Sequence, residues 1–532
     1  MKTRNYALIA LLLMHTQAIF AMPTESEIKA ILQNRIDVEE RAVGIAVGLI
    51  DKNGRTYVSH GTFTKDRDKQ IDENTIFEIG SISKVYTTTL LMDMVSRGEV
   101  NLDDPIAKHL PKSVTVPTRD DKQITLEHLA THTSGLPRLP SNMDMKNRNN
   151  PYASYTAYSN YGMGLLGHIL ALKSGTGYEE LLTDQITTPL GMPSTAITLS
   201  PDLKNRLATG HNPGLEPVSN WDIPTLAGAG AIRSTVSDQL TFLAVNLGLK
   251  KSPLNEALQK THTKRAPVSK NMEIALGWHI QKQHTPEIIW HNGGTGGYRT
   301  FIGFDKQNGV GVAVLSNTSN SVDDIGFHLL NAQNELSKPR PKRTEIDLEP
   351  TVFDAYVGEY DLTSSVKFTI SRQDKKFFVQ LTGQNRIQMY PESENEFFIK
   401  VVNAQITFHK NDKNQVTHLI LHQNGIKQRA VKKGMTMVLE QKETKLSAEI
   451  LSRYVGRYEL QSGISITITR ENTQLKAQAS GQPAVEIFPE TETKFFYKAV
   501  DAQITFTRNE AKETISLTLH QAGRNMPAKK VE

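Results

Sequence analysis

Cysteine is absent from this 532-residue chain. That absence excludes disulfides, thiolate nucleophiles, cysteine zinc sites and a lipid-modified cysteine. An excess of one charge is missing as well. Lys plus Arg number 61 against 56 Asp plus Glu, a net +5, and no long block of like charge occurs. A polyanion-binding surface is therefore not expected, and nucleic acid is excluded as a partner. Long apolar runs are missing beyond the first residues, so no membrane span is expected in the mature protein. With 38% hydrophobic and 22% charged residues, the chain reads as a soluble globular protein of two to four domains. Without disulfides it must be held by its cores, which this length allows to be large.

The first residues carry an address. MKTRN supplies Lys2 and Arg4, and the apolar YALIALLLMHTQAIFA that follows is cut by His15 and Gln17. This pattern predicts a secretory signal over 1–21 and an exported protein, periplasmic or secreted. A first folded domain is expected over 22–336. Its VGIAVGLI and RTYVSHGTF are strand-like and joined by DKNG; TFIGFD and GVGVAVLSN are joined by KQNG. Both are hairpin signals. Hairpins at the two ends with helical patterns between them predict an α+β fold. Its antiparallel sheet would be closed by the two ends, flanked by helices and accompanied by a helical subdomain. Residues 337–350 read as a linker, polar and broken by prolines.

The tail is duplicated. YVGEY at Tyr356 recurs as YVGRY at Tyr454, FFIKVVNAQITF at Phe397 as FFYKAVDAQITF at Phe495, and LHQNG at Leu421 as LHQAG at Leu519. Every offset is 98 residues (454 − 356, 495 − 397, 519 − 421). A unit that long is a whole small domain, and its period-two alternation predicts antiparallel barrels over 351–435 and 446–532. His422 and His520 match across the copies. A pair of ligands is conceivable, but a strand-end residue kept by duplication is the simpler reading.

Chemistry is suggested by FEIGSISK, which places Ser81 and Lys84 one helical turn apart at the start of an apolar helix. A serine hydroxyl needs a neighbour that accepts its proton, and a desolvated lysine on the same helical face can do so. Ser-x-x-Lys occurs two more times. Ser26 and Lys29 lie at the expected mature terminus, with Ser26 read as part of a helix cap. Ser364 and Lys367 start a strand, where residues three apart face opposite ways. Neither pair is assigned chemistry. Ser81 has further company in YSN, with Tyr158 and Asn160 at the mouth of a helix, and in HNGGTGG beginning at His291. A phenol of lowered pKa is a general base, a carboxamide orients, and a glycine-rich strand edge offers an oxyanion-binding N–H.

On FEIGSISK, YSN and HNGGTGG, with LEHLATHTSGLP and AGAGAIRSTVSDQLTFL in support, the region from about 25 to 335 resembles the penicillin-recognising serine hydrolases. That superfamily contains class C β-lactamases, DD-peptidases and D-aminopeptidases. The resemblance implies that Ser81 is acylated, that Lys84 and Tyr158 share the base role, and that Asn160 contacts Lys84 and the substrate amide. It implies an oxyanion hole from the N–H groups of Ser81 and Gly294, with Asn292, Gly293, Thr295 and Arg299 beside the substrate. No metal and no cofactor are implied. His132 reads as structural. His291 stands where the family usually has lysine. A largely neutral histidine leaves substrate-carboxylate recognition weaker or supplied elsewhere, with Arg299 as the candidate. That departure resembles D-aminopeptidases and some esterases, and the two tail modules resemble the D-aminopeptidase arrangement. The expected substrate is a small molecule or peptide: a β-lactam, a D-amino-acid peptide or a cell-wall fragment. An esterase and a penicillin-binding sensor with little turnover stand as alternatives.

Overall fold

The computed structural model describes residues 22–65, 69–118, 121–139, 158–339, 343–363, 366–384, 386–423, 426–435, 443–461, 464–498, 502–521 and 524–531. The expected signal over 1–21 and Ser364 lie outside them. The chain divides into two compact units, Met1–Pro339 and Arg340–Glu532.

The first unit is built on one eight-stranded antiparallel sheet. Its strands are β1 (Gly44–Asp51), β2 (Gly54–Gly61), β3 (Ala266–Ser269), β4 (Met272–Ile274), β5 (His279–Gln281), β6 (Ile288–Gly294), β7 (Arg299–Asp305) and β8 (Val310–Ser316). They run β2-β1-β8-β7-β6-β5-β4-β3. The two expected hairpins are present. Asp51 Oδ1 accepts from the N–H groups of Asn53 (2.8 Å) and Gly54 (3.2 Å), which closes β1 on β2. Asp305 does the same for Gln307 (2.8 Å) and Asn308 (3.2 Å) between β7 and β8. Short Asx turns of this kind set strand register. β1 pairs β8 from Ile45↔Ser316 to Ile50↔Gly311, so the early and late strands of this unit meet inside the sheet.

Helices cover both faces of the sheet, which explains why β1 reads as a continuous apolar run. Ile45, Val47 and Leu49 pack with Ile28 and Leu32 of α1 (Glu25–Gln33) and with Ile325 and Leu329 of the last helix of this unit, Asp323–Leu330. Ala46 faces the opposite cluster, with Phe242 and Leu243 of the helix Val236–Asn246. α1 is capped by Thr24 in a reciprocal box with Glu27. Ser26 only hydrogen-bonds that cap (3.0 Å), and Lys29 donates to the Ser59 carbonyl (2.8 Å).

α2 (Ser83–Ser96) is buried on all sides, as expected of a central helix without an amphipathic stripe. Its threonines satisfy neighbouring backbone: Thr87 Oγ1 donates to Gly228 O (2.7 Å) and Thr88 Oγ1 to Leu276 O (3.0 Å). α3 (Asn160–Ser174) ends on Gly175 in the left-handed region. The helix Val236–Asn246 is α4 and Asp323–Leu330 is α5.

The second unit contains two closed antiparallel barrels of eight strands each, between Gly358 and Lys432 and between Gly456 and Lys530. Equivalent side chains form the two cores: Tyr356 and Tyr454, Tyr360 and Tyr458, Phe408 and Phe506. Residues at the end of the expected linker belong to the first core region, since Leu348 is buried there and Ile346 N–H donates to Pro391 O (2.9 Å). His422 and His520 make the same contact, Nε2 to the hydroxyl of Thr407 (3.1 Å) or Thr505 (2.9 Å) on the adjacent strand. Among the described residues no helix is long and apolar enough to cross a membrane, and no group of three metal-ligating side chains is gathered.

Candidate active site

Ser81 lies in a single tight turn, Gly80–Ile82, between the short strand Ile76–Glu78 and α2. The turn presses against β6. A Cβ on Gly80 would lie 2.7 Å from the backbone nitrogen of Gly294, and Gly80 has φ +51°. Only glycine accepts both conditions without strain. One turn further along, Lys84 is 0% exposed. Its Nζ lies 2.9 Å from Ser81 Oγ and donates to the Ala229 carbonyl at 2.7 Å. Burial, reinforced by the positive charge of Arg138, holds the Lys84 ammonium well below the usual lysine range. No carboxylate contributes to that balance, so the side chain is set up as an amine beside the serine hydroxyl.

Tyr158 is delivered by the entry to α3. Ser159 caps this helix by accepting from Gly162 N–H (2.9 Å), donates its hydroxyl to Pro137 O (2.7 Å), and sends its N–H to His132 Nδ1 (3.2 Å). Those bonds tie the loop after His132 to the mouth of α3. The Tyr158 ring then lies with Lys84 Nζ 4.8 Å from its centroid and the His132 ring 4.5 Å away. The phenol was expected to be acidified. Instead burial raises it to about 12, against the opposing influence of a hydrogen bond with Ser81 and the charge of Arg138. The physical reason is that burial of the phenol outweighs both the Ser81 hydrogen bond and the charge of Arg138. Tyr158 therefore holds its proton, and Lys84 is the basic partner.

His291 is 1% exposed in β6. Its Nδ1 donates to Asn292 O at 2.6 Å, which fixes the tautomer and leaves Nε2 buried without a partner. Burial, the largest influence, keeps it neutral. Its ring centre is 6.4 Å from that of Tyr158 and 5.0 Å from that of His279. β5 pairs β6 only over Ile288–Trp290, so from His291 onward this edge of β6 carries no partner from β5. Gly293 passes so close to the Ile79 carbonyl that a Cβ would lie 1.9 Å from it.

Strand alternation separates the remaining expected site residues. His291 faces Tyr158, and Asn292 turns to the α5 side, where its Nδ2 donates to Asp323 Oδ2 (2.6 Å). Trp290, on that same face, packs edge-on against Phe327 of α5. Asn292 is thus engaged behind the strand rather than offered to a substrate. Arg299 also lies over Gly294 on that side and donates through Nε to Ser319 O (3.1 Å). Thr295 is buried with an unpartnered hydroxyl, and its N–H closes the turn to Tyr298 O (3.1 Å). Asn160 has a buried, unpartnered Oδ1. It was expected to contact Lys84, whose hydrogen bonds go to Ser81 and Ala229 instead.

Three participants were not singled out from the sequence. The Ala229 carbonyl anchors Lys84; its only signal was the segment AGAGAIRS. His279 extends the neutral histidine cluster and is pushed down to about 4 by burial and by Lys84. Arg138 sets its guanidinium 5.5 Å from the Tyr158 ring centre; it follows LEHLATHTSGLP by one residue but matches no motif.

Residues 26–333 match the beta-lactamase domain family, and 342–433 and 440–530 each match a domain of unknown function (DUF3471). The chain is 30% identical over 328 residues to the D-alanyl-D-alanine-carboxypeptidase/endopeptidase AmpH of Escherichia coli (strain K12), covering 53% of this chain and 84% of the relative. It is 24% identical over 425 residues to penicillin-binding protein 4* of Bacillus subtilis (strain 168), covering 70% and 91%. Among solved structures, a beta-lactamase/D-alanine carboxypeptidase from Pseudomonas syringae superposes with a TM-score of 0.52 at 21% identity, over 59% of this chain and all of that one. A class C beta-lactamase from Rhodobacter sphaeroides gives 0.51 at 23%, over 58% and 97%. At these identities the structural likeness speaks for the fold.

Proposed function

We propose, for a chain that belongs to the beta-lactamase family over residues 26–333, an exported serine hydrolase of the class C type. It cleaves the amide bond of a β-lactam or a D-aminoacyl peptide through a Ser81 acyl-enzyme. The observation that carries this reading is a fully buried lysine nitrogen 2.9 Å from Ser81 Oγ with no carboxylate to hold its charge. Relatives named as a D-alanyl-D-alanine-carboxypeptidase/endopeptidase and as beta-lactamases support the substrate class.

In this mechanism Lys84 takes the Ser81 proton as Oγ bonds to the carbonyl carbon. The oxyanion is held by the N–H groups of Ser81 and Gly294. Tyr158, a proton-bearing phenol hydrogen-bonded to Ser81, donates to the leaving nitrogen as the C–N bond breaks and recovers its proton from Lys84. Water then enters by the reverse route, the ester C–O bond breaks and Ser81 is regenerated. His291 is a neutral wall of the site whose bare Nε2 accepts a hydrogen bond. Asn160 offers its unpartnered Oδ1 to a substrate N–H.

The deciding measurement offers purified protein a chromogenic cephalosporin, a D-alanyl anilide and a short-chain nitrophenyl ester, beside Ser81→Ala. Amide turnover above ester turnover, all lost in Ser81→Ala, is expected. Equal turnover of the three would defeat the amide assignment. A penicillin-binding sensor has one observation in its favour, the missing contact between Asn160 and Lys84. A labelled penicillin that stays on Ser81 without turnover would select it.

A further inference from the structure

Substrates of this class carry a carboxylate when they end in a free D-amino acid, and a carboxylate is recognised through a cation with donors to spare. The following assignment rests on the serine hydrolase reading. Around Ser81 most basic groups are unsuited to the task. Lys84 is sealed and uncharged, and His132, His279 and His291 are kept neutral by burial. Arg299 lies on the α5 side of β6, bound to Ser319 O and acting on the buried Asp323. Arg233 is tied to the carbonyls of Ile197 (2.6 Å) and Trp221 (2.6 Å) and sits against Glu78.

Arg138 differs on each count. It is exposed, on the loop that follows His132. Its own carbonyl accepts from Tyr161 N–H (3.1 Å), which anchors the loop to the first turn of α3. Its guanidinium stands 5.5 Å from the Tyr158 ring centre and makes no ion pair among the described residues. Tyr158 is the group that faces the leaving nitrogen, so a cation lying against its ring sits beside the leaving portion of the substrate. We propose that Arg138 is the specificity residue that receives the carboxylate of the leaving D-amino acid. Planar, bidentate donation suits a guanidinium on a tethered loop.

The test compares an N-acyl-D-alanyl-D-alanine with its C-terminal carboxamide, in the full chain and in R138Q, R138K and R299Q. The full chain is expected to favour the free acid in kcat/KM by about tenfold, the size of one charge-assisted hydrogen bond. R138Q brings that ratio close to one, with the loss taken in KM, and R138K restores part of it. No preference in the full chain, a preference that survives R138Q, or one that collapses only in R299Q would overturn the assignment. Hydrolysis of an uncharged nitrophenyl ester, dependent on Ser81, separates the two levels of failure. Its absence, together with the absence of Ser81-dependent turnover of the cephalosporin and the D-alanyl anilide, sinks the hydrolase reading and this assignment together, whereas Ser81-dependent turnover of any of the three with a preference indifferent to residue 138 sinks this assignment alone.

Discussion

Burial holds the Lys84 ammonium well below the usual lysine range, and the expected pH behaviour of the site follows from that. In the proposed mechanism Lys84 serves as a base above its depressed pKa, and that role is lost as acidification protonates it. Tyr158 serves as an acid below about 12. The kcat/KM profile is therefore expected to fall on the acid side and to show no alkaline decline until close to the tyrosine value. The positive charge of Arg138 helps hold Lys84 down, so Arg138→Gln is expected to move the acid limb upward in pH. A profile with an alkaline fall near the ordinary tyrosine value would contradict the assignment of proton-bearing phenol and basic lysine. Lys84→Ala removes the proton acceptor while leaving Ser81 in its turn. It is expected to lower kcat/KM by about 10³-fold, the usual worth of general base catalysis, read in the same substrate assay as Ser81→Ala.

At the scale of elements, the site is made where a tight turn, the mouth of α3 and the open edge of β6 converge. Gly80 is the hinge of that convergence. A Cβ there would meet Gly294 N at 2.7 Å while the backbone stays at φ +51°. Gly80→Ala is expected to cost about 1–3 kcal/mol in stability and to slow acylation by a labelled penicillin, since Ser81 and Gly294 would be pushed apart. A variant acylated at the normal rate would show that the two N–H groups do not act together. In the barrels the repeated element is a tyrosine hydrogen bond. Tyr360 donates to Tyr356 O (2.7 Å) and Tyr458 to Tyr454 O (2.8 Å), each from a buried hydroxyl. Tyr360→Phe and Tyr458→Phe are each expected to cost about 1 kcal/mol, measured by urea unfolding. Unequal losses would mean that the duplicated side chains have taken on different structural duties.

Over the whole molecule, burial of neutral histidines makes acid the adverse condition. His132 is pushed down to about 3 and His279 to about 4. Between those values and the ordinary histidine range the unfolded chain binds more protons than the folded one, so stability is present at neutral pH and falls on acidification. From about pH 6.5 to about 5 each such histidine costs up to about 2 kcal/mol. His279→Asn is expected to flatten the dependence of unfolding midpoint on pH, and an unchanged slope would show that the histidine is protonated without penalty.

Much of this molecule could be read along the chain, wherever one element carries the information. Ser81 and Lys84 meet because helical spacing brings positions three apart onto one face, and the hairpins form because Asp51 and Asp305 fold their own turns. The barrels were legible because a copy repeated its core motifs, Tyr356 as Tyr454, Tyr360 as Tyr458 and Phe408 as Phe506, at one offset. What crosses between elements was not legible. Asn292 could be known to oppose His291, but only the packing of α5 decided that its face was the rear of the sheet. The charge state of Tyr158 depended on how deeply it is buried, against the Ser81 hydrogen bond and the charge of Arg138. The Ala229 carbonyl, His279 and Arg138 reach the site through separate segments. Local order is written in local spacing, so the sequence determined the reactive pair, the hairpins and the duplication. Burial and electric field sum over everything nearby in space, so only the tertiary structure decided which groups hold protons and which cation lies against Tyr158.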